Sequence, residues 1–456
     1  MSLAENLASI SERTDPEQFT TFREHIAPEW ITETLETTGT ATVRKRRLLA
    51  EQVVWLIIGM ALFVGRSMKD LVTSLDLSLP GQKLDVARSA VTQARQRLGE
   101  APLRWLFELT GQKWGTASGA AHRWRGLMLL GADMSTLRVA DSQQNRDTFG
   151  GQSHDSKRGA SGYPLVRLLC VMVLRSHILL SARMGPYSGS SKLQLARDVL
   201  KDIPANSLIV LDRGYLYPSF LAGLRDCEEN RHWLTRAKKN TKWTVIHRNG
   251  PGDEVVELAI SSQARKKDPS LPPTLWCRAI RYQRKGFQPQ TLLTSLMSAS
   301  EYPAREVVGL YHERWEIELG YGEVKTDMLD RRETIRSKTP DGVLQEIWGL
   351  LIAYNLIRVE MEKVASEAGV APTRISFIMA LHLIQDEFMW CGVASPGTIP
   401  EKLRRMRQNI SRYILPERRS DRSYPRAVKV KMSNYARKRP TTTSGNPVPK
   451  RTGDLK

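Results

Sequence analysis

The stretch YHERWEIELGYGEVK, residues 311 to 325, places four glutamates among one arginine, one lysine and two tyrosines. With Tyr311 set at zero on an ideal helix, Arg314 falls near roughly 300°, Lys325 near 320° and Glu318 near 340°. Glu313, Glu316 and Glu323 fall near roughly 200°, 140° and 120°. Leu310, Ile317, Val324 and Met328 make an apolar stripe at roughly 220° to 260°, so this helix has a side to bury. The Tyr311/Arg314/Glu318/Lys325 arc borders that stripe, while the other three glutamates lean away from it. Glu318 is thus the acid best placed to reach a site on the protein body. The competing use of the same residues is an Arg314–Glu318 (i, i+4) ion pair worth about 0.2–0.5 kcal/mol, with Lys325 in solvent.

Two aspartates add to the case for chemistry. Asp133 follows the apolar run LMLLGA and Asp212 follows SLIVL, so each is expected at the end of a buried strand. An aspartate there either caps the next turn or points into a site above the sheet. With Glu318 they offer hard oxygen ligands suited to Mg²⁺. A pair of such ions can activate a water or hydroxyl and stabilise the leaving oxygen of a phosphodiester.

The rest of the chain supplies a partner of the right charge. Its 456 residues carry 68 Lys and Arg against 48 Asp and Glu, a formal +20. Such a field attracts polyanions, and nucleic acid is the leading one. From Glu401 to Lys456 there are 17 basic and 4 acidic residues, so 13 of the 20 net charges lie in the tail. A second cluster is Arg44, Lys45, Arg46 and Arg47. Cys170, Cys227, Cys277 and Cys391 are far apart and suggest neither a disulfide framework nor a zinc site. The N-terminus lacks the regions of a signal peptide. The apolar run Val53 to Gly65 is too short to span a bilayer. The expectation is a soluble, cytoplasmic protein with no membrane partner.

The elements that must position the acids are legible in outline. Residues 20–115 show apolar positions at three- and four-residue spacing, which predicts an all-α unit, either DNA-binding or packing scaffold. The runs 126–140, 163–184 and 206–215 are rich in aliphatic residues and bounded by turns, which predicts strands; 192–203 and 218–231 predict helices and 232–240 a further strand. Residues 241–299 turn polar, with Gly/Pro breaks and short alternation, as in a β-rich insertion. Helix returns over 305–328 and 341–365. Residues 441–456 lack apolar side chains and are expected to be disordered. The fold class is α/β, a mixed sheet with helical cover.

With these residues in view, the chain resembles the bacterial cut-and-paste transposases of the insertion sequence four family. Tyr311, Arg314, Glu318 and Lys325 match that family's Tyr, two residues, Arg, three residues, Glu, six residues, Lys signature. GADMSTLRVADSQQN around Asp133, LIVLDRGY around Asp212 and IRSKTPDGVLQEIWGLLIAYNLIR follow the family's order. The resemblance implies an RNase H-like core at 126–365, interrupted by the insertion at about 241–299. It also implies a helical DNA-binding domain at 1–125 and a helical, basic C-terminal region at 366–456. Asp133, Asp212 and Glu318 would be catalytic and would bind two Mg²⁺ ions, with Mn²⁺ as a substitute. Tyr311, Arg314, Lys325 and Arg236 would contact DNA. Trp276 is the candidate for stacking on a flipped base, against packing in a core. The implied activity is cleavage at element-end inverted repeats and joining of 3′-hydroxyls to target DNA, by a homodimer on DNA at the nucleoid. A nuclease without strand transfer and a decayed or domesticated DNA-binding copy are the alternatives. The chain departs from the family at Met134-Ser135, where Gly-Thr is common, at Gly322, and at Lys192, where an acidic residue is expected.

Overall fold

The computed structural model describes residues 26–41, 48–74, 87–151, 162–224, 229–284, 287–330, 334–391 and 399–417. The basic cluster Arg44–Arg47 and the segment 441–456 lie outside the described residues. Helices α1 (Pro28–Thr37), α2 (Ala50–Leu62), α3 (Met68–Ser74), α4 (Arg88–Leu98) and α5 (Ala101–Ala121) precede the sheet. The strands and helices that follow are β1 (Met128–Val139), α6 (Gln143–Phe149), β2 (Leu165–Val173), β3 (Leu179–Pro186), α7 (Lys192–Asp198), β4 (Ser207–Leu211), α8 (Pro218–Leu224) and β5 (Arg231–Arg236). Next come β6 (Thr244–Gly250), β7 (Asp253–Ala259), α9 (Ser262–Lys267), β8 (Thr274–Tyr282) and β9 (Gln290–Thr294). The chain then forms α10 (Ala304–Glu313), α11 (Trp315–Gly322), β10 (Thr334–Ile335), α12 (Pro340–Ala368), α13 (Phe377–Cys391) and α14 (Ile399–Ile410).

The strands make one mixed sheet in the order β3-β2-β1-β4-β5-β9-β8-β7-β6, with β10 beside β1. Pairs β1/β4 and β4/β5 are parallel, while β1/β2 and β2/β3 are antiparallel. That is the RNase H-like arrangement, and the expected α/β class stands. The β-rich insertion is hydrogen-bonded into the same sheet through β5 and β9.

Alternation along the strands decides which face each aspartate uses. Leu129 and Leu137 of β1 and Leu208 and Val210 of β4 enter the core that holds Ile317, Tyr321 and α12. Leu130, Ala132, Ile209 and Leu211 enter the opposite core, under α7 and α8. Two-residue periodicity therefore turns Asp133 and Asp212 to the side of α11. Asp133 is not at a strand end, as its sequence suggests; β1 runs six residues beyond it. The parallel ladder of β1 with β4 ends at Ala132↔Leu211, however, so both aspartates stand one step past the same last pair.

Helix α2 reads as apolar on every side because it is buried on every side, against α12 and the helices around it. No helix among the described residues is long and apolar enough to cross a membrane. Arg336 donates to the carbonyl of Met60, an orphan acceptor in the last turn of α2, and to those of Val64 and Arg66 in the loop beyond it.

The stretch 305–328 is not the single regular helix its periodicity predicts. It breaks at Arg314, resumes as α11, and winds into a π-helix over Glu323–Met328. The cause lies on the face away from the aspartates. Glu323 pairs with Arg358 of α12 and accepts from the Tyr354 hydroxyl at 2.8 Å. His177 Nε2 meets Glu316 Oε2 at 2.9 Å, and Arg358 Nη2 meets His177 Nδ1 at 2.7 Å. Glu313 takes both ends of the Arg175 guanidinium at 2.9 and 3.0 Å. The glutamates that lean away from the apolar stripe are therefore employed in ionic contacts, not solvated. Their partners come from β2–β3 and α12, which helix arithmetic cannot see. His177 holds this position in the β2–β3 turn with a left-handed backbone, φ +65°.

Burial pushes the Glu323 carboxyl up, but Arg358 and His177 together outweigh it and hold it at about 2. An unfolded glutamate titrates near 4.5. A depressed carboxyl stabilises the fold in full above the unfolded value and loses that contribution as pH falls toward the folded one. Glu323→Gln should cost about 3–5 kcal/mol at pH 7, because it strands the Arg358 charge. The gap between wild-type and variant denaturant midpoints should narrow as pH falls from 4.5 toward 2; a gap that stays constant would contradict this ion pair.

Candidate functional site

Asp133 and Asp212 are each fixed by a backbone amide. Asp133 Oδ1 accepts from Met134 N–H at 2.8 Å. Asp212 caps the short 3₁₀ turn Arg213–Tyr215 by accepting from Gly214 N–H at 2.8 Å. The capping role and the site role are thus compatible in one residue, since Asp212 also faces a cation. That cation is Lys192, the first residue of α7, whose helix is capped by Ser191. Its ammonium lies 3.5 Å from Asp133 Oδ1 and 3.4 Å from Asp212 Oδ1. It also sits 3.8 Å from the centre of the Tyr215 ring, a cation–π distance. Burial pushes the Asp133 carboxyl up; Lys192 and the Met134 amide oppose this, and Asp212 adds to the rise.

Across the opening, Arg314 Nη1 donates to Glu318 Oε1 at 2.7 Å. Glu318 is about as open as Asp212, at 37% and 35% side-chain exposure, so solvent or a ligand can reach both. Burial pulls the Arg314 guanidinium down, yet Glu318, Tyr311 and Asp133 outweigh it and hold it above its usual value. Tyr311 is buried, which raises its hydroxyl; Arg314 and Arg236 oppose that rise, and Asp212 adds to it. Tyr311 and Arg314 therefore share one electrostatic neighbourhood with Asp212, and Arg236 borders it from the end of β5. Arg236 Nη1 donates to Gln290 Oε1 at 3.2 Å. Lys325 Nζ lies 3.4 Å from Ser135 Oγ, two residues beyond Asp133 and on the same face of β1.

The Arg314–Glu318 pair expected as the simpler use of the signature is present, but Lys325 is not left to solvent. Among the described residues no group of three or more His, Cys, Asp or Glu side chains is disposed to hold a metal ion. Two of the three carboxylates do share a cation position, and the third is held by an arginine beside them. Trp276 is not in a core: it is 49% exposed on β8 and donates to Glu257 Oε1 at 2.8 Å.

Close packing seats α11 against β1 and β2. A Cβ on Gly131 of β1 would lie 2.6 Å from Leu174 Cδ2 and 3.6 Å from Ile317 Cβ. One on Gly320 would collide with Met172 and come within 3.2 Å of the Tyr354 hydroxyl. Gly322, by contrast, has nothing near its would-be Cβ and precedes the π-helical turns. Tyr321 ties the two layers. Its hydroxyl accepts from Cys170 N–H at 3.0 Å and donates to the Asp133 carbonyl at 2.7 Å. Asp133 and Cys170 are directly opposed in the β1/β2 ladder. The signature motif does not contain Tyr321, although its helical angle, near roughly 280°, falls between the apolar stripe and the polar arc.

Comparison with known proteins identifies relatives of the chain. Residues 16–108 match the insertion element 4 transposase N-terminal family, and residues 102–356 match the transposase DDE domain. The chain is 39% identical over 417 residues to the transposase InsG for insertion sequence element IS4 of Escherichia coli K12. That alignment covers 91% of this chain and 93% of the relative. Among solved structures, the piggyBac transposase synaptic complex with hairpin DNA aligns over 90% of this chain and 88% of that one. Its TM-score is 0.44 and its identity 13%.

Replacing Tyr321 by Phe removes the bridge without altering the packing volume. It should lower stability by about 1–3 kcal/mol, the cost of leaving a buried amide and carbonyl short of a partner. Urea denaturation checks the figure, and hydrogen exchange at Cys170 N–H should accelerate relative to its β2 neighbours; an unchanged rate there would show the hydroxyl does not hold the strand.

Proposed function

The chain belongs to the insertion element 4 family of DDE transposases, enzymes that cleave and transfer DNA strands, and we propose that Asp133, Asp212 and Glu318 are its catalytic carboxylates. The observation that supports this reading is the convergence of Asp133 and Asp212 on one cation, with Arg314, which binds Glu318, within electrostatic reach of Asp133. A site of oxygen donors fits a hard divalent cation, and the Lys192 ammonium already stands where positive charge is held. Asp133, Asp212 and Glu318 would hold two Mg²⁺ ions, which Mn²⁺ can replace. When bound, such ions supply Lewis acidity at the scissile phosphate and lower the pKa of water.

The remaining work falls to the chain's own side chains. Arg314 spends one Nη1 donor on Glu318, and a guanidinium has five, so its fork can hold Glu318 and a phosphate together. Lys325 reaches the β1 side of the site and Arg236 the β5 side, so both can neutralise backbone charge flanking the cut. Tyr311, buried against the same arginines, offers its hydroxyl to a phosphate oxygen. Water is excluded behind the carboxylates by Tyr321 and Ile317. The basic tail and Arg44–Arg47 would add sequence-independent attraction to DNA.

The substrates we assign are the terminal inverted repeats of an element and a target duplex, in the bacterial cytoplasm at the nucleoid. Joining two ends requires bringing them together, so the working form is a homodimer on DNA. Residues 1–125 serve as the DNA-binding domain, 126–365 as the catalytic domain and 366–456 as a basic extension.

The test is a reconstitution with purified protein, Mg²⁺, labelled element ends and a target plasmid. Excised and joined products are expected. Glu318→Gln should reduce cleavage by at least roughly 10³-fold, as removal of a member of a catalytic unit does, while mobility-shift binding of the ends stays largely unchanged. Cleavage that persists in this variant would remove Glu318 from the site, and nicking without joining would remove strand transfer from the function.

A further inference from the structure

Lys192 stands out because nothing in the signature asks for it. Two carboxylates one step past the same ladder pair repel each other, and burial raises the cost of keeping both charged. Lys192 answers that repulsion from a third element, at 3.5 Å from one aspartate and 3.4 Å from the other. It is not a surface charge that happens to fall nearby. Its ammonium is backed by the buried Tyr215 ring at 3.8 Å, and the Ser191 cap sets its place at the first turn of α7. The side chain is 30% exposed, which leaves it a path to solvent.

We propose that Lys192 is a built-in counter-ion of the aspartate pair, which competes with divalent metal for Asp133 and Asp212. This rests on the metal-binding reading above. In the metal-free enzyme it holds the two carboxylates in place; metal loading displaces its ammonium toward solvent. The residue thereby sets the metal concentration at which the enzyme becomes competent, without being a ligand.

The competition is reciprocal, so removing the ammonium must tighten metal binding. The experiment titrates Mn²⁺ into the full chain by electron paramagnetic resonance, without DNA, for wild type, Lys192→Met, Lys192→Arg and Asp133→Asn. Lys192→Met should bind Mn²⁺ about three- to tenfold more tightly, the range expected for two partly exposed ion pairs. Lys192→Arg should stay near wild type, and Asp133→Asn should weaken binding. Melting curves in EDTA confirm that each variant is folded, and Lys192→Gln replaces Lys192→Met if it is not. Tighter binding in Lys192→Met together with weaker binding in Asp133→Asn supports the proposal. Aspartate-dependent binding that is unchanged or weaker in Lys192→Met overturns the counter-ion role and leaves the metal site standing. Binding insensitive to Asp133→Asn overturns the metal-site reading itself, and the proposal with it.

Discussion

Burying Glu323 between Arg358 and His177 requires the helix that carries it to sit at one depth and one rotation against β2 and α12. An ionic group in that position is strongly destabilising once its partner is displaced. Helix α11 therefore has little freedom, and neither does Glu318 on its other side. Gly131 of β1 beneath the helix and Gly320 on the helix itself let it come close enough for the network to form. Rotation is then set by the π-helical turns over Glu323–Met328, which shift the residues that follow relative to a regular helix. Such segments recur at functional sites, where they re-aim side chains at modest cost. Here the result is Lys325 beside Ser135.

The two sides of this helix use charge differently. On the buried side, arginine and carboxylate are enclosed; burial pulls the Arg358 guanidinium down, yet Glu323 and Tyr354 outweigh it and hold it above its usual value. That pairing is structural and closed. On the site side, Asp133, Asp212 and Glu318 keep 23%, 35% and 37% of their side-chain surface open. Each has a cationic neighbour, Lys192 for the two aspartates and Arg314 for Glu318. The acids that anchor the helix are thus enclosed, while those at the opening stay partly exposed.

The strands flanking the aspartates were legible because a sheet covered on both faces needs continuous aliphatic runs, and LMLLGA and SLIVL are such runs. Glu318 was separable from its three neighbours because Arg314 and Glu323 keep helical backbone angles, so the angular order of the glutamates survives the break. The break at Arg314 and the widening after Gly322 were not legible, since both answer to His177 and Arg358, which lie far away in sequence. Asp133 was placed at a strand end for a similar reason: periodicity cannot show that β1 leaves β4 and continues beside β10. The meaning of Lys192 needed two strands and a helix in register at once. Trp276, expected in a core by residue type, lies open because it points to the face of β8 opposite the buried Leu275, Cys277 and Ala279.

That outer half is continuous with the catalytic strands. Strands β9, β8, β7 and β6 extend the sheet from β5 by direct backbone pairing. With neighbouring strands about 4.8 Å apart, the far edge at β6 lies roughly 20 Å from β5 along the hydrogen-bonding direction. The insertion is thus a cantilever rather than a tethered module. Its reach is quantised by strand number, and lengthening or shortening it by one hairpin would move its tip by about 10 Å while leaving the carboxylates where they are.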